Sequence, residues 1–118
     1  MSKKRRDKDY LHDIHEAMEM IGLYIKGLTY KQFATDRKTQ DAVVRNFEVI
    51  GEAAKNISKD LKGRYPEIPW KQISGLRDKL IHFYFGIDYR IVWNITKKEL
   101  PKIIRQIKEL LQEKTGSA

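Results

Sequence analysis

Apolar residues return along this chain at steps of three and four, the spacing of one face of an α-helix, in three long stretches. In the first, Leu11, Ile14, Met18, Ile21 and Ile25 predict a helix from about Tyr10 to Lys26, with Gly27 as its stop. A short connection carrying Tyr30 and Phe33 leads to Asp36. Its side-chain oxygen is suited to accept a free amide N–H of the next first turn, so it is read as an N-cap. The second helix then carries Gln40, Val43, Phe47, Ile50, Ala54, Ile57 and Leu61, a narrow seam of the kind that packs between neighbouring helices. Gly51 lies on or beside that seam. A helical glycine costs about 1 kcal/mol relative to alanine, so it is read as a point of close helix approach. Gly63 and Pro66 are expected to end the helix.

Pro69 suits the first turn of a third helix, where its missing N–H does no harm, and the pattern extends that helix to about Phe83. Gly86 interrupts it and Asp88 offers a cap for a fourth. There Ile91, Val92 and Ile95 are followed by Leu100, Ile103, Ile104, Ile107, Leu110 and Leu111. Pro101 is expected to kink or divide this last helix, because its ring clashes with the carbonyl four residues back; the bend falls between Trp93 and Leu100, with Thr96 capping the final segment. The fold class is therefore all-α, an up-and-down bundle of four to five helices without internal repeats. Residues 1–9 read as a flexible basic tail, 10–113 as one domain and 114–118 as a flexible C-terminus.

Composition narrows the class of function. Hydrophobic residues make up 41% and charged residues 34%, enough for a core and too apolar for a disordered chain. The absence of cysteine excludes disulfides, thiolate metal sites and thiol catalysis, and is compatible with a reducing compartment. The opening run Lys3-Lys4-Arg5-Arg6-Asp7-Lys8-Asp9 is followed by no apolar block, so it is not a secretory signal, and no stretch approaches membrane-spanning length. A cytoplasmic location is expected. The net charge of +8 favours contact with polyanions, nucleic acid first, through release of counterions from phosphates.

The sharpest local signal is Arg77-Asp78-Lys79-Leu80-Ile81-His82-Phe83-Tyr84. It places a permanent cation, a group that titrates near neutrality and a phenol close together. Arginine can hold two phosphate oxygens and offset charge that grows in a transition state, and histidine can take or give a proton near pH 7. That pair needs no metal or other cofactor. On a straight helix, Arg77 and His82 lie about 140° apart, whereas Arg77 and Tyr84 lie within about 20° of one direction. His82 reaches the same cleft if the helix loosens before Gly86, or if a second protomer brings its own Arg and His across a two-fold axis; the dimer is the preferred reading.

The Arg77 to Tyr84 segment resembles the Arg-x4-His-x-Tyr signature of the HepT proteins, a branch of the HEPN class. The likeness continues through Gly86-Ile87-Asp88-Tyr89 and Ile91-Val92-Trp93, and upstream through Asn46-Phe47-Glu48-Val49-Ile50-Gly51-Glu52-Ala53-Ala54 and Tyr10-Leu11 with Asp13-Ile14. It covers nearly the whole chain, from about Tyr10 to Leu111. The resemblance implies a HEPN-type helical homodimer that places the Arg and His of both protomers in one cleft and cuts single-stranded RNA without metal, as the toxin of a toxin–antitoxin pair. Arg77 and His82 are then the catalytic residues, and Asp78 has a supporting role, orienting one of them, or is a plain surface carboxylate. Tyr84 matches the tyrosine that the family's partner, an MntA-type nucleotidyltransferase antitoxin, adenylylates. An AMP group there sets a negative phosphate at the mouth of a phosphate site. The rival function is a non-catalytic HEPN partner or substrate-binding subunit of a nucleotidyltransferase; a purely structural dimer is a third.

Lesser candidates remain. His12, His15, Glu16 and Glu19 share helical spacing with metal sites, but such a set is more often a solvated face. Trp70 and Trp93 suit base stacking, with core packing preferred. Lys97, Lys98, Lys102, Arg105 and Lys108 form a basic stripe that tracks a phosphate backbone or simply solubilises the last helix.

Overall fold

The computed structural model describes residues 5–76, 78, 86 and 88–116, the last three by their backbone alone. In chain order these form α1 (Asp7–Ile25), α2 (Tyr30–Ala34), α3 (Arg37–Lys55), α4 (Lys59–Arg64), α5 (Trp70–Ser74), α6 (Tyr89–Asn94), a π-helical stretch (Ile95–Glu99) and α7 (Leu100–Gly116). The chain is all-α. In place of four to five rods, the described residues give long α1 and α3, a path running from α6 through the π-helical stretch into α7, and short helices between them. α1 packs chiefly on α3 and also on α7, α3 meets α5, and α2 lies against both α3 and α6.

α1 starts at Asp7, three residues before the expected Tyr10, because two acids at its start find partners. Asp9 accepts the Arg6 N–H at 3.0 Å. The Asp7 carboxylate reaches across the fold to accept both the N–H and the hydroxyl of Ser58, at 2.9 and 2.6 Å. Leu11, Ile14, Met18 and Ile21 are fully buried, and Gly27 leaves the helix at φ +78°, a conformation that suits glycine.

The connection after Gly27 is itself a short helix. Thr29 accepts the Gln32 N–H at 3.2 Å while the Gln32 side chain accepts the Thr29 N–H at 2.9 Å, a reciprocal cap. Phe33 is fully buried, and its carbonyl accepts the buried Gln40 amide at 2.9 Å, which joins α2 to the first turns of α3. Asp36 caps α3 as expected, accepting the Thr39 N–H at 3.1 Å and the Thr39 hydroxyl at 2.6 Å.

The expected second helix is two helices. α3 ends at Lys55, and Ser58 caps α4 by accepting the Leu61 N–H at 3.1 Å. The seam survives the break: Ile57 is 3% exposed and Leu61 fully buried. Gly63 does not end α4, which runs on to Arg64 before Pro66. Pro69 precedes the first turn of α5 as its N-cap, and α5 gives way at Gly75, so the predicted run to Phe83 is interrupted; the residues from Lys79 onward in that run lie outside those described.

Pro101 does not divide the last helix. An α-helix would aim residue 101 at the carbonyl of Lys97, which the proline ring crowds and cannot bond. The backbone widens just before it: the Leu100 N–H bonds Ile95, five residues back, through a π-helical stretch, and α7 continues. Thr96 caps nothing; buried, it donates its hydroxyl to the Trp93 carbonyl at 2.7 Å.

Candidate functional site

Arg77, His82 and Tyr84 lie outside the described residues; the structure gives what precedes and follows them. α5 enters the segment under firm control: the Trp70 ring is 7% exposed and its indole N–H donates to the Tyr65 carbonyl at 3.0 Å, while Ile73 is fully buried. Leu76, 5% exposed, is the last core residue before the segment, and Asp78 is exposed on helical backbone. On the far side, exposed Gly86 takes φ +105°, which a residue with a Cβ rarely adopts. Asp88 then starts α6 by accepting the Arg90 and Ile91 N–H groups at 3.0 and 3.4 Å. A buried leucine on one side, and a positive-φ glycine and a capped helix on the other, therefore bracket the Arg-x4-His-x-Tyr sequence.

α6 brings a second group of side chains together. Trp93 packs on the buried Phe33 with ring centroids 5.3 Å apart, and meets Tyr30 edge-on at 6.0 Å. Tyr89 also meets Phe33, edge-on at 6.3 Å. Two cations lie over the outer rings: Arg90 over Tyr30 at 4.7 Å and Lys97 over Trp93 at 5.0 Å. Both cations are exposed and both rings half-buried. The preference for packing thus holds fully for buried Trp70 and partly for Trp93, which joins the core on one side and meets solvent on the other. The sequence pattern gave no reason to join Tyr30 to Arg90, sixty residues on; only the Thr29-x-x-Gln32 cap signalled the helix that carries Tyr30.

Elsewhere, some cations are paired with carboxylates: Arg37 approaches Asp41 and Arg64 approaches Asp60, each at 3.5 Å. Arg5 also lies over a ring, that of Tyr10 at 4.8 Å, but it binds Asp13 at 2.8 Å, and this hydrogen bond raises its pKa above the ordinary arginine value. His15 and Glu19 approach to 3.3 Å, yet among the described residues no group of three or more His, Asp or Glu side chains is placed to hold a metal. The stripe of Lys97, Lys98, Lys102, Arg105 and Lys108 is exposed throughout. Lys98 and Lys102 also edge a cavity of about 260 Å³ between α5 and α7, where the Gln106 amide donates to the Glu67 carbonyl at 3.1 Å. No helix among the described residues is long and apolar enough to cross a membrane.

Comparison with known proteins bears on the whole arrangement. The family model described as "Ribonuclease HepT-like" matches residues 14–110. A Thermococcus cleftensis protein named "Probable ribonuclease HepT" is 47% identical over 107 residues, which cover 91% of this chain and 97% of the relative. A Methanocaldococcus jannaschii protein provisionally named RNase MJ0127 is 44% identical, covering 96% of this chain and 93% of its own. A Caldanaerobacter subterraneus protein provisionally named RNase TTE0752 is 42% identical over 90% of this chain and 95% of its own. No solved structure matches.

Proposed function

The chain belongs to the HepT-like ribonuclease family, and from that premise we propose that it is a metal-independent endoribonuclease, the toxin of a toxin–antitoxin pair, working in the cytoplasm. The observation that carries this reading is the complete Arg77-x4-His82-x-Tyr84 sequence inside the span that the family model matches. His82 takes the proton from an RNA 2′-hydroxyl as its oxygen bonds to the adjacent phosphorus, and the bond from phosphorus to the 5′-oxygen breaks. The imidazolium returns a proton to that leaving oxygen. Arg77 holds the non-bridging oxygens as their charge grows. The products are a 2′,3′-cyclic phosphate and a 5′-hydroxyl. Histidine supplies the proton transfers and arginine the positive charge, so the step requires no metal ion. DNA, which lacks the attacking hydroxyl, is not cut.

A homodimer places Arg77 and His82 of both protomers in one cleft, which answers the wide angle between them on a single straight helix. Asp78 supports the pair. The antitoxin is a nucleotidyltransferase that adenylylates Tyr84 and so places a phosphate where the substrate's phosphate would bind.

The test is cleavage of a mixed RNA pool in EDTA by the purified chain. Wild type is expected to cut and to leave cyclic or 3′-phosphate ends. His82→Ala and Arg77→Ala are each expected to lose at least about a hundredfold in rate. Clean, unmodified wild type that proves inert would overturn the ribonuclease and favour a nucleotidyltransferase-binding HEPN subunit.

A further inference from the structure

Tyr30, Trp93, Arg90 and Lys97 form a set of chemistry-bearing side chains that the proposed reaction leaves unused. We propose that they are a ledge that holds single-stranded RNA, around the helix that follows the Arg77–Tyr84 segment in the chain, with bases on the two rings and phosphates on the two cations. RNA as the occupant rests on the ribonuclease reading; the ledge itself rests on geometry.

Three observations carry it. The rings are backed by the core: Phe33, fully buried, supports Trp93 at 5.3 Å, and Tyr30 meets Trp93 edge-on at 6.0 Å. A base that lands there meets a surface already in place. The cations are uncommitted: among the described residues neither Arg90 nor Lys97 pairs with a carboxylate, whereas Arg5, in the same pose over Tyr10, is neutralised by Asp13. The carboxylate nearest in sequence to Arg90, that of Asp88, is turned to the amides of α6. The position is the third: α6 starts at Tyr89, five residues after Tyr84 in the chain, with Gly86 at a positive φ between them.

The exchange on binding is simple. A base stacked on an aromatic ring is worth more than an exposed cation over that ring, so the strand takes the ring face and the cation swings to the flanking phosphate. Stacking does not depend on which base is present, so the ledge orients a strand without selecting a sequence. Lys98 and Lys102, exposed farther along the same helical path, extend the cationic track.

The experiment uses the full chain carrying His82→Ala, so that the probe survives, and a fluorescein-labelled single-stranded RNA oligonucleotide. Arg90→Ala with Lys97→Ala is expected to weaken binding at least about tenfold. Lys55→Ala with Lys59→Ala removes the same charge from exposed positions at the end of α3 and the start of α4, roughly 22 Å beyond Gln40. It is expected to cost less than about threefold. RNA is also expected to quench tryptophan emission, and Trp93→Phe, which keeps a ring against Phe33, to abolish the quench although Trp70 remains. Equal losses from the two pairs, or a quench that survives Trp93→Phe, overturn the ledge.

Cleavage by the chain with native His82 separates this from the parent reading. The Arg90 and Lys97 changes are expected to raise KM with kcat unchanged, the mark of lost substrate binding. If the chain cuts no RNA yet shows the quench and the pair-specific loss, the nuclease falls and the ledge stands. If it cuts RNA through His82 but the two pairs behave alike, the ledge falls alone.

Discussion

α1 and the path from α6 to α7 are opposite in charge. α1 carries five carboxylates against a single lysine, while residues 89–116 carry seven lysines and arginines against three glutamates. Both are amphipathic, both bury one apolar face, and they pack on one another. The difference lies in what their polar faces do. Acids of α1 are used internally: Asp7 ties α1 to Ser58, Asp9 closes its own first turn, and Asp13 neutralises Arg5. Among the described side chains of the other path, Arg90 and Lys97 rest exposed on rings, and Lys98, Lys102, Arg105 and Lys108 are exposed as well. A net charge of +8 therefore says less about the surface than its distribution does: charges on one side hold the scaffold together, and those on the other stand exposed to solvent.

The largest effect that tests this division is on the scaffold. Phe47 in α3 is fully buried. Phe47→Ala is expected to lower unfolding free energy by about 3–5 kcal/mol in a urea titration. Arg90→Ala with Lys97→Ala is expected to change it by less than about 1 kcal/mol, because exposed cation–π contacts are individually weak. Comparable losses from both would mean that the α6 face is structural after all.

That scaffold was the legible part of the sequence. Every seam residue from Leu11 to Ile25 and from Gln40 to Leu61 is buried, since period and burial follow from one helical geometry. The apolar pattern hides the break between α3 and α4, because Ile57 and Leu61 stay in phase across it, and one bond that holds it comes from Asp7, 51 residues away. Two local signals do mark the short helices. Thr29 and Gln32 spell a capping box in the connection after Gly27, and Ser58 precedes Leu61 with cap spacing. Pro101 announced a disturbance correctly, while its resolution by a π-helical stretch depends on how α7 packs as well as on the ring. Around the proposed site, Asp88 was legible as a cap, while Arg77, His82 and Tyr84 form a motif whose arrangement lies outside the described residues. The aromatic group was half legible: Trp93 stood out by type, whereas its union with Tyr30 is a tertiary contact that no spacing records.

A middle-sized effect sharpens the charge comparison. On a single strand each cation that neutralises a phosphate adds about 0.7 to the slope of log affinity against log salt. Lys98→Ala with Lys102→Ala should therefore flatten the slope for RNA by about 1.4. Glu16→Gln with Glu19→Gln on α1 should leave it unchanged within about 0.3. If both pairs shift the slope equally, the overall charge and not its placement governs binding, and the contrast between the two helices loses its functional meaning.

The smallest effect concerns the two caps that open the scaffold helix α3 and the site helix α6. Asp36 accepts both the N–H and the hydroxyl of Thr39, and these bonds, the hydroxyl first, hold its carboxyl below the ordinary aspartate pKa. Asp88 accepts two N–H groups, the second at a long 3.4 Å. A carboxylate whose folded pKa is depressed stabilises the fold above its unfolded value near 3.9. That contribution fades as pH falls from there through the folded value. Asp36→Asn keeps the capping shape without the charge, so it should shallow the acid limb of a stability–pH curve below about pH 4 and leave the curve parallel to wild type above about pH 5. An acid limb that does not change would mean that Thr39 holds the Asp36 carboxyl no better in the folded chain than water does in the unfolded one, and that the firm start of α3 comes from the Gln40 bond to Phe33 instead.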